Sequence, residues 1–284
     1  MIEFSRFSYA YPTSTAPVLR DIEVAIPEGQ VCGLVGAGGA GKSTLGYAAA
    51  GLIPHALGGD FTGRVTTAGR VVADTPLAEV VTEVGLVLQN PFNQISGAKY
   101  SVRAELAFGL ENLGVARTEM VDRIDGMLER LQIAHLAERS PYELSGGQQQ
   151  LVALAAVLVM KPRVLVLDEP TSQLDPAGSR LVFAALEELR GTGITVLLIE
   201  QKLEQLAEYA DRVLVLAEGS VRLDGEPERV LADPRLPEWG VGTTRFTDAA
   251  RRAAELGRWP AGRDLPVTLP TAVAGFTEAL GETR

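Results

Sequence analysis

GAGGAGKST, the stretch from Gly36 to Thr44, decides the fold of this chain. An apolar run from Val31 to Val35 enters the stretch, and a helix-forming run leaves it. Successive glycines let backbone N–H groups curl around an anion at the positive end of the following helix. Lys42 would reach the β- and γ-phosphates of a nucleotide and act in catalysis, and Ser43 would be a Mg²⁺ ligand. We therefore expect the following residues to bind a nucleoside triphosphate: Gly36, Gly38, Gly39, Gly41, Lys42, Ser43 and Thr44.

The same glycines fit a second pattern, because Gly36, Gly38 and Gly41 read as GxGxxG, the dinucleotide-binding fingerprint. That fingerprint needs an acidic residue about 20 positions later, at the end of a second strand. Asp60 lies instead in GGDF, which reads as a turn. The pair Lys42 and Ser43 therefore favours a nucleoside triphosphate over NAD.

Composition limits the classes of function. The 284 residues allow one large or two modest domains, and 46% hydrophobic with 22% charged residues is typical of a globular protein. The longest apolar run, Leu151 to Met160, is half of the roughly 20 residues that a membrane span needs. We therefore expect any membrane role to come through a partner. A net charge of −10 argues against nucleic acid as a partner, and the single cysteine, Cys32, suits a reducing cytoplasm.

The order of the elements predicts the fold class. Aliphatic runs such as Val164 to Leu167 and Ile194 to Ile199 alternate with helical patterns, which is typical of a mostly parallel sheet. Helical periodicity from about residue 95 to residue 162 predicts an inserted helical subdomain. We predict an α/β fold of the P-loop NTPase type, with an antiparallel β subdomain and this insertion. From Asp233 the composition shifts, and only Thr247 to Leu256 reads as a helix.

Two acids follow the strand VLVL, at the place where open α/β sheets carry their functional residues. Beside a Mg²⁺-nucleotide, Asp168 would hold the metal and Glu169 would act as general base toward the attacking water. Two solvated acids at the end of a strand are the simpler explanation when this segment is taken alone. The phosphate loop in the same chain favours the catalytic interpretation.

LSGGQQQ, which begins at Leu144, is the third element, and with it the sequence resembles the ATP-binding cassette (ABC) ATPases. Its residues match the signature motif of that family, and Ser145 precedes Asp168 by 23 positions, as the family order requires. A serine at a helix N-cap is compatible with this role. The resemblance covers about residues 1 to 232, which we take as the ATPase domain. Residues 233 to 284 would form a small C-terminal extension and are a candidate dimerising segment.

The resemblance implies a role for further residues. Gln89 matches the glutamine that contacts Mg²⁺ and the attacking water. Tyr11 best matches the aromatic residue that stacks on adenine, with Tyr9 second. The two tyrosines stand two positions apart, which predicts one face of a strand, and the spacing alone leaves stacking and sheet packing equally open. Two ATP molecules would lie between two such subunits, so the chain would pair with itself or with a similar ATPase. The residues that would act across that interface are Ser145, Gly146, Gly147, Gln148 and Asp175.

One position departs from the family pattern, since Gln201 stands where a histidine is usual. Glutamine donates a hydrogen bond to the γ-phosphate but never becomes cationic. We therefore expect retained but slow hydrolysis, with Gln201 in the catalytic set. A subunit that mainly binds ATP beside a stronger partner is the alternative.

Weaker features resemble one subfamily. Gln89-Asn90-Pro91 followed by Gln94, the later GLENLG, and LPVTL in the extension look like the ATPase components of energy-coupling factor importers. The resemblance implies a transmembrane coupling protein and a substrate-binding membrane protein as partners, at the cytoplasmic face of the cell membrane, for vitamin or Co²⁺/Ni²⁺ uptake. Another ABC importer is the alternative. A non-transport ABC ATPase is a further alternative. It would predict a long coiled-coil insertion, zinc-binding cysteines or two cassettes, and the sequence contains none of these features.

Overall fold

A computed structural model describes residues 1–14 and 16–281. Within those residues the strands are β1 (Ile2–Ala10), β2 (Leu19–Ile26), β3 (Val31–Val35), β4 (Asp60–Thr67), β5 (Arg70–Val71), β6 (Val84–Val87), β7 (Val164–Asp168), β8 (Thr195–Ile199), β9 (Arg212–Ala217) and β10 (Ser220–Gly225). The α-helices are α1 (Lys42–Ala49), α2 (Leu52–His55), α3 (Leu77–Glu83), α4 (Val102–Asn112), α5 (Arg117–Arg130), α6 (Gly146–Leu158), α7 (Pro176–Leu189), α8 (Leu203–Tyr209), α9 (Pro227–Leu231), α10 (Arg245–Glu255) and α11 (Leu269–Gly281).

The chain divides into two compact units. The first consists of Met1–Gln30 and Ser43–Ile199, and the second of Val31–Lys42 with the chain from Glu200 onward. In the first unit, β6, β7 and β8 form a parallel segment with β7 in the middle. Every residue of β7 and β8 is buried, as expected of parallel strands covered on both faces. A separate antiparallel sheet has the strand order β2-β1-β4-β5.

Helices α4, α5 and α6 form the helical part of the first unit. Ser101 caps α4 by accepting a hydrogen bond from the backbone N–H of Ala104. Helix α6 is apolar on most of its surface and packs against α4. Because most of its surface is apolar, α6 must pack against other elements on several sides, and α4, α5 and β6 contact it there.

In the second unit, β3 pairs in parallel with β9, and β10 pairs with β9 in the antiparallel direction. The backbone N–H of Val31 donates to the Asp211 carboxylate at 2.8 Å, which fixes the start of β3. The predicted α/β class, with parallel strands, an antiparallel sheet and a helical insertion, is confirmed. The domain boundary at residue 232 stays a prediction.

The helix α11 was missed by the sequence analysis, which expected one helix in the extension. Its sequence includes Thr271, Val273 and Gly275, which are poor helix formers. Tertiary packing supplies the missing stability, because the Trp259 ring meets Phe276 edge-on with centroids 5.2 Å apart. A Cβ on Gly275 would lie 2.1 Å from the Trp259 ring, so glycine is required for this contact.

Two local expectations near β1 were wrong. Asp60 does not lie in a turn but begins β4, because it pairs with Ala10 of β1. Tyr11 does not share a strand face with Tyr9, since β1 ends at Ala10. Across residues 1–14 and 16–281, we find no helix with the length and apolar character of a membrane span.

Candidate functional site

The phosphate loop lies in the second unit, directly after the buried strand β3. A Cβ on Gly36 would lie 2.3 Å from the carbonyl oxygen of Leu216, so the close approach of the loop to β9 requires glycine. Gly41 has a φ of 103°, which an L side chain rarely adopts. The Lys42 ammonium donates to the carbonyl oxygens of Gly36 at 2.8 Å and Ala37 at 2.9 Å. These bonds hold the cation inside the curve of the loop.

The loop continues along the chain into Ser43 and Thr44, in the first turn of α1. The Tyr11 hydroxyl lies 3.0 Å from the Thr44 hydroxyl, so the aromatic candidate is tied to the helix that follows the loop. Tyr11 is partly exposed, whereas Tyr9 is 1% exposed and meets the Tyr11 ring edge-on. Burial raises the pKa of the Tyr9 hydroxyl. Tyr11 is therefore the more accessible of the two tyrosines, and its stacking on adenine stays a prediction.

Asp168 and Glu169 lie at the carboxyl end of β7, as predicted. Asp168 is 2% exposed. The pKa of Tyr47, on α1, is raised first by burial and then by the Asp168 carboxylate and Tyr11. A Cβ on Gly46 of α1 would lie 3.2 Å from the Val166 side chain of β7, so the strand that ends in Asp168 packs against this helix.

Glu169 has an unusual backbone and a defined side-chain partner. Its φ is 48°, in the left-handed region, and such a conformation costs a non-glycine residue roughly 1–3 kcal/mol. Its N–H donates to the carbonyl oxygen of Ile199 on β8, which holds this conformation in place. The Gln89 amide nitrogen donates to the Glu169 carboxylate at 2.7 Å. The structure thus brings together two predicted catalytic residues that are 80 positions apart.

Gln201 comes two positions after the end of β8. It belongs to the second unit and is exposed. Its backbone N–H donates to the carboxylate of Glu200 at 3.1 Å, and Glu200 is itself buried. A cavity of about 210 Å³ is lined by Gly36 of the phosphate loop, by Gln201 and by Gly240 to Thr243 of the extension. This contribution of the extension was not predicted, because no local motif marks a contact between residues about 200 positions apart.

The signature motif lies at the start of α6, where Ser145 is exposed and Gly146 and Gly147 are partly exposed. The Ser145 hydroxyl accepts from the Gln148 N–H, and the Gln148 side chain accepts from the Ser145 N–H, which makes a capping box. Asp175 caps α7 in a similar way, since its carboxylate accepts from the Gly178 N–H at 2.7 Å. A Cβ on Gly146 would lie 2.7 Å from the Gln173 side chain, so the two motifs pack together. Their proposed contacts with a second subunit stay predictions.

A comparison with protein-family models identifies the family. The model described as ABC transporter matches residues 19–172. The chain belongs to the ABC transporter family. It is an ABC ATPase, an ATP-hydrolysing enzyme that binds nucleotide, as the phosphate loop and the signature motif predicted.

Relatives of this ABC ATPase differ in length. A protein of Pyrococcus abyssi named as an ABC transporter ATP-binding protein is 44% identical over 231 residues, which cover 81% of the chain and 82% of that relative. A protein of Streptomyces coelicolor with the same description is 41% identical over 282 residues, which cover 95% of the chain but 50% of that relative. The chain therefore spans most of the first relative and half of the second.

Solved structures share the fold. The structure of cbiO1 from Clostridium perfringens, described as part of the ABC transporter complex cbiONQ, has a TM-score of 0.72 and 30% identity. That likeness covers 90% of the chain and 96% of cbiO1. A dimeric ATP-binding cassette bound to ADP and phosphate, MJ0796, has a TM-score of 0.70 at 22% identity, with 80% of the chain and 99% of that cassette covered. At this identity the second likeness supports the ABC fold alone.

Proposed function

We propose that this ABC ATPase powers an importer of the energy-coupling factor type, for vitamins or transition-metal ions. The observation that carries the proposal is the likeness to cbiO1, part of a transporter complex, over 90% of the chain. The pattern of Gln89-Asn90-Pro91 with Gln94 supports the same subfamily. An ATPase subunit of another ABC importer is the neighbouring alternative.

Three oxygen donors of the first unit fit a Mg²⁺ ion that accompanies ATP. They are the Ser43 hydroxyl, the Asp168 carboxylate and the Gln89 amide oxygen, and Mg²⁺ prefers such ligands. A carboxylate only accepts hydrogen bonds, so Gln89 must turn its NH₂ group toward Glu169. Its amide oxygen is then the atom that remains for the metal. Bound Mg²⁺ would neutralise charge on the β- and γ-phosphates.

In the proposed hydrolysis, Glu169 takes the proton of the attacking water. The Gln89 amide fixes the Glu169 carboxylate and would contact the same water. Lys42 would exchange its carbonyl acceptors for phosphate oxygens, and Gln201 would donate a hydrogen bond to the γ-phosphate. Tyr11 would stack on adenine. Since Gln201 brings no positive charge, the rate should be modest.

Dimerisation would complete each site. The start of α6 is partly exposed, and the helix dipole together with the N–H groups of Gly146 and Gly147 would attract a γ-phosphate held by the partner's loop. Helix α11 exposes Leu269, Val273 and Leu280, which recur at helical spacing. We propose that this apolar stripe contributes to the pairing of two ATPase subunits.

The membrane partner would dock beside Gln89. Phe92 is 59% exposed and Tyr142 is 49% exposed, and their rings meet edge-on with centroids 6.1 Å apart. Exposed aromatic clusters are typical of protein interfaces. Phe92 lies three positions after Gln89, so a coupling protein on this cluster would act directly on the loop that carries Gln89. Such docking would hold the ATPase at the cytoplasmic face of the membrane.

The test is purification of the tagged full chain from solubilised membranes of its own host, with identification of the co-purifying proteins by mass spectrometry. A coupling membrane protein plus a small substrate-binding membrane protein supports the proposal. The double variant Phe92→Ala/Tyr142→Ala should lose both. The control variant Val121→Ala, which removes an exposed apolar side chain from α5, should keep them. Recovery of the chain without membrane proteins would refute the importer function.

Gln201 favours a second candidate function, in which the chain mainly binds ATP while a partner ATPase supplies the faster site. The exposed amide can bind a γ-phosphate without acting as an acid. Turnover of the purified chain alone, compared with that of the purified complex, distinguishes the two functions. A complex no faster per site than the isolated chain would remove this candidate.

A further inference from the structure

We propose that Gln94 is a positioning residue for ATP hydrolysis, which holds the loop that aims Gln89 at Glu169. Gln94 gains this role only if Gln89 and Glu169 act as proposed above. The side chain of Gln94 itself contacts backbone rather than any catalytic group in the described structure, so it acts through the loop. The segment from Gln89 to Asn93 is called the Gln89 loop below.

Both polar atoms of the Gln94 side chain bind the end of β6. The amide oxygen accepts from the Leu88 N–H at 3.0 Å, and the amide nitrogen donates to the Leu86 carbonyl oxygen at 2.9 Å. In the first unit, β6 pairs with β7 on one side. The amide therefore supplies the donor and the acceptor that a further strand would give to β6. The Gln94 amide thus continues the hydrogen-bond ladder of β6 past Val87, the last residue of the strand.

These two bonds close the Gln89 loop at its base. Leu88 directly precedes Gln89, so the bond to Leu88 fixes the peptide that leads into the catalytic side chain. The rest of the loop is held by local bonds: the Asn90 side chain accepts from the Phe92 N–H at 3.1 Å, and the Gln94 N–H donates to the Pro91 carbonyl oxygen at 3.0 Å. Gln89 thus lies between a fixed strand end and a capped turn.

The loop is also tied to the helical insertion on its far side. The Ser96 N–H and hydroxyl both donate to the carboxylate of Glu105 on α4, at 2.6 and 2.8 Å. Glu105 is 5% exposed, so these bonds satisfy a buried carboxylate that would otherwise be costly. The chain just after the Gln89 loop is therefore anchored to β6 by Gln94 and to α4 by the bonds of Ser96 to Glu105. Of the two anchors, Gln94 is the one that binds the residue adjacent to Gln89.

The geometry of the reaction explains why this matters. The Gln89 amide holds the Glu169 carboxylate at 2.7 Å. A general base works only within hydrogen-bond reach of the water proton, and a displacement of about 1 Å can cost 10²-fold in rate. The Gln94 side-chain bonds end on the backbone of Leu86 and Leu88, so their loss leaves the hydrogen bonds of Lys42 to Gly36 and Ala37 in place. The expected effect is therefore on kcat rather than on the KM for ATP.

The test uses the purified full chain and the variant Gln94→Met, which keeps the length of the side chain and removes both hydrogen bonds. We expect kcat to fall about tenfold, with KM for ATP within about twofold of the wild type. The control Asn93→Ala, at an exposed neighbour in the same loop, should keep wild-type kinetics. Gln94→Glu retains the acceptor for the Leu88 N–H and loses the donor, so its kcat should lie between those of the wild type and Gln94→Met. This variant provides the test if Gln94→Met fails to fold.

A double-mutant cycle separates positioning from a general structural role. If Gln94 acts through Gln89, then Gln94→Met should cause no further loss of kcat in a Gln89→Ala background. A full additional loss there, or unchanged kcat in both Gln94 variants, would overturn the positioning role. If Gln89→Ala and Glu169→Gln both leave turnover unchanged, the proposed catalytic roles fail, and with them the role of Gln94. If Gln89→Ala lowers kcat while both Gln94 variants keep the wild-type kcat, then only the positioning role of Gln94 is refuted.

Discussion

Glu169→Gln should abolish most ATP hydrolysis while ATP binding is kept. The substitution removes the group that accepts the water proton, and a positioned general base contributes about 10² to 10⁴-fold to a rate. The Gln89 amide nitrogen donates to the Glu169 carboxylate at 2.7 Å, and the amide oxygen of the new side chain can still accept this hydrogen bond. The exchange of a charged acceptor for a neutral one costs less than about 1 kcal/mol at this partly exposed position. The fold and the loop should therefore survive.

The assay is steady-state phosphate release at saturating ATP, with ATP affinity and the ATP-dependent shift to a dimer measured on the same samples. The matched control is Glu187→Gln, which removes the charge of an exposed α7 carboxylate that pairs with Arg190. We expect that control to hydrolyse ATP at the wild-type rate. Turnover of Glu169→Gln within about threefold of wild type would refute the role of general base. Loss of ATP binding together with turnover would show instead that Glu169 supports the structure of the site.

Three further outcomes follow from single positions. Gln201→His should raise turnover, and unchanged kcat at saturating ATP would show that this position does not limit hydrolysis. Gly240→Ala should lower stability by about 1–3 kcal/mol in a thermal melt, because the φ of Gly240 is 68° and a Cβ there would lie 3.0 Å from the Ala37 Cβ; Gly242→Ala, with open space around it, is the control. Cys32 should resist alkylation at pH 8 until the chain unfolds, because burial raises its pKa to about 12 from an ordinary 9.0; equally fast labelling of the native chain would refute its burial.

The sign of the Cys32 effect follows from its burial. The folded state disfavours the thiolate, so at pH 8 its thiolate fraction is about a thousandfold below that of the unfolded chain. Because the folded pKa is the higher one, any stability linked to this thiol is complete below pH 9 and declines as the pH rises toward 12. The reactivity of the thiol therefore reports unfolding rather than catalysis.

The sequence predicted the parts of the site that local chemistry dictates. The phosphate loop and the acids after β7 were predicted because each needs fixed residue types at fixed spacing along one segment. The apolar run from Val31 to Val35 that precedes the loop is a strand with the same bounds in the structure. The family resemblance added Gln89, whose contact with Glu169 no local pattern could reveal. The residue roles in catalysis and dimerisation stay predictions.

Other contacts could not be predicted from the sequence, and the reason is physical. Gln94 was noted only as a subfamily feature, because a side chain that binds backbone at Leu86 and Leu88 leaves no residue pattern at its partners. Helix α11 was missed because its stability comes from Trp259 rather than from its own propensity. Asp60 was assigned to a turn because glycines precede it, whereas pairing with β1 decides its conformation. In each case a tertiary partner outweighs the local preference.

The contact at Gly240 connects the extension to the phosphate loop. Gly240 lies against Ala37 of the phosphate loop, and Val241 beside it is buried in the second unit. Any change that shifts Ala37 also shifts the backbone N–H groups that would hold the phosphates, so Gly240→Ala should weaken ATP binding as well as stability. Linkage is reciprocal for binding equilibria, and ATP bound in the loop must therefore stabilise the packing of Gly240 to the same extent. If the variant loses stability but binds ATP with wild-type affinity, the extension supports the fold without acting on the nucleotide.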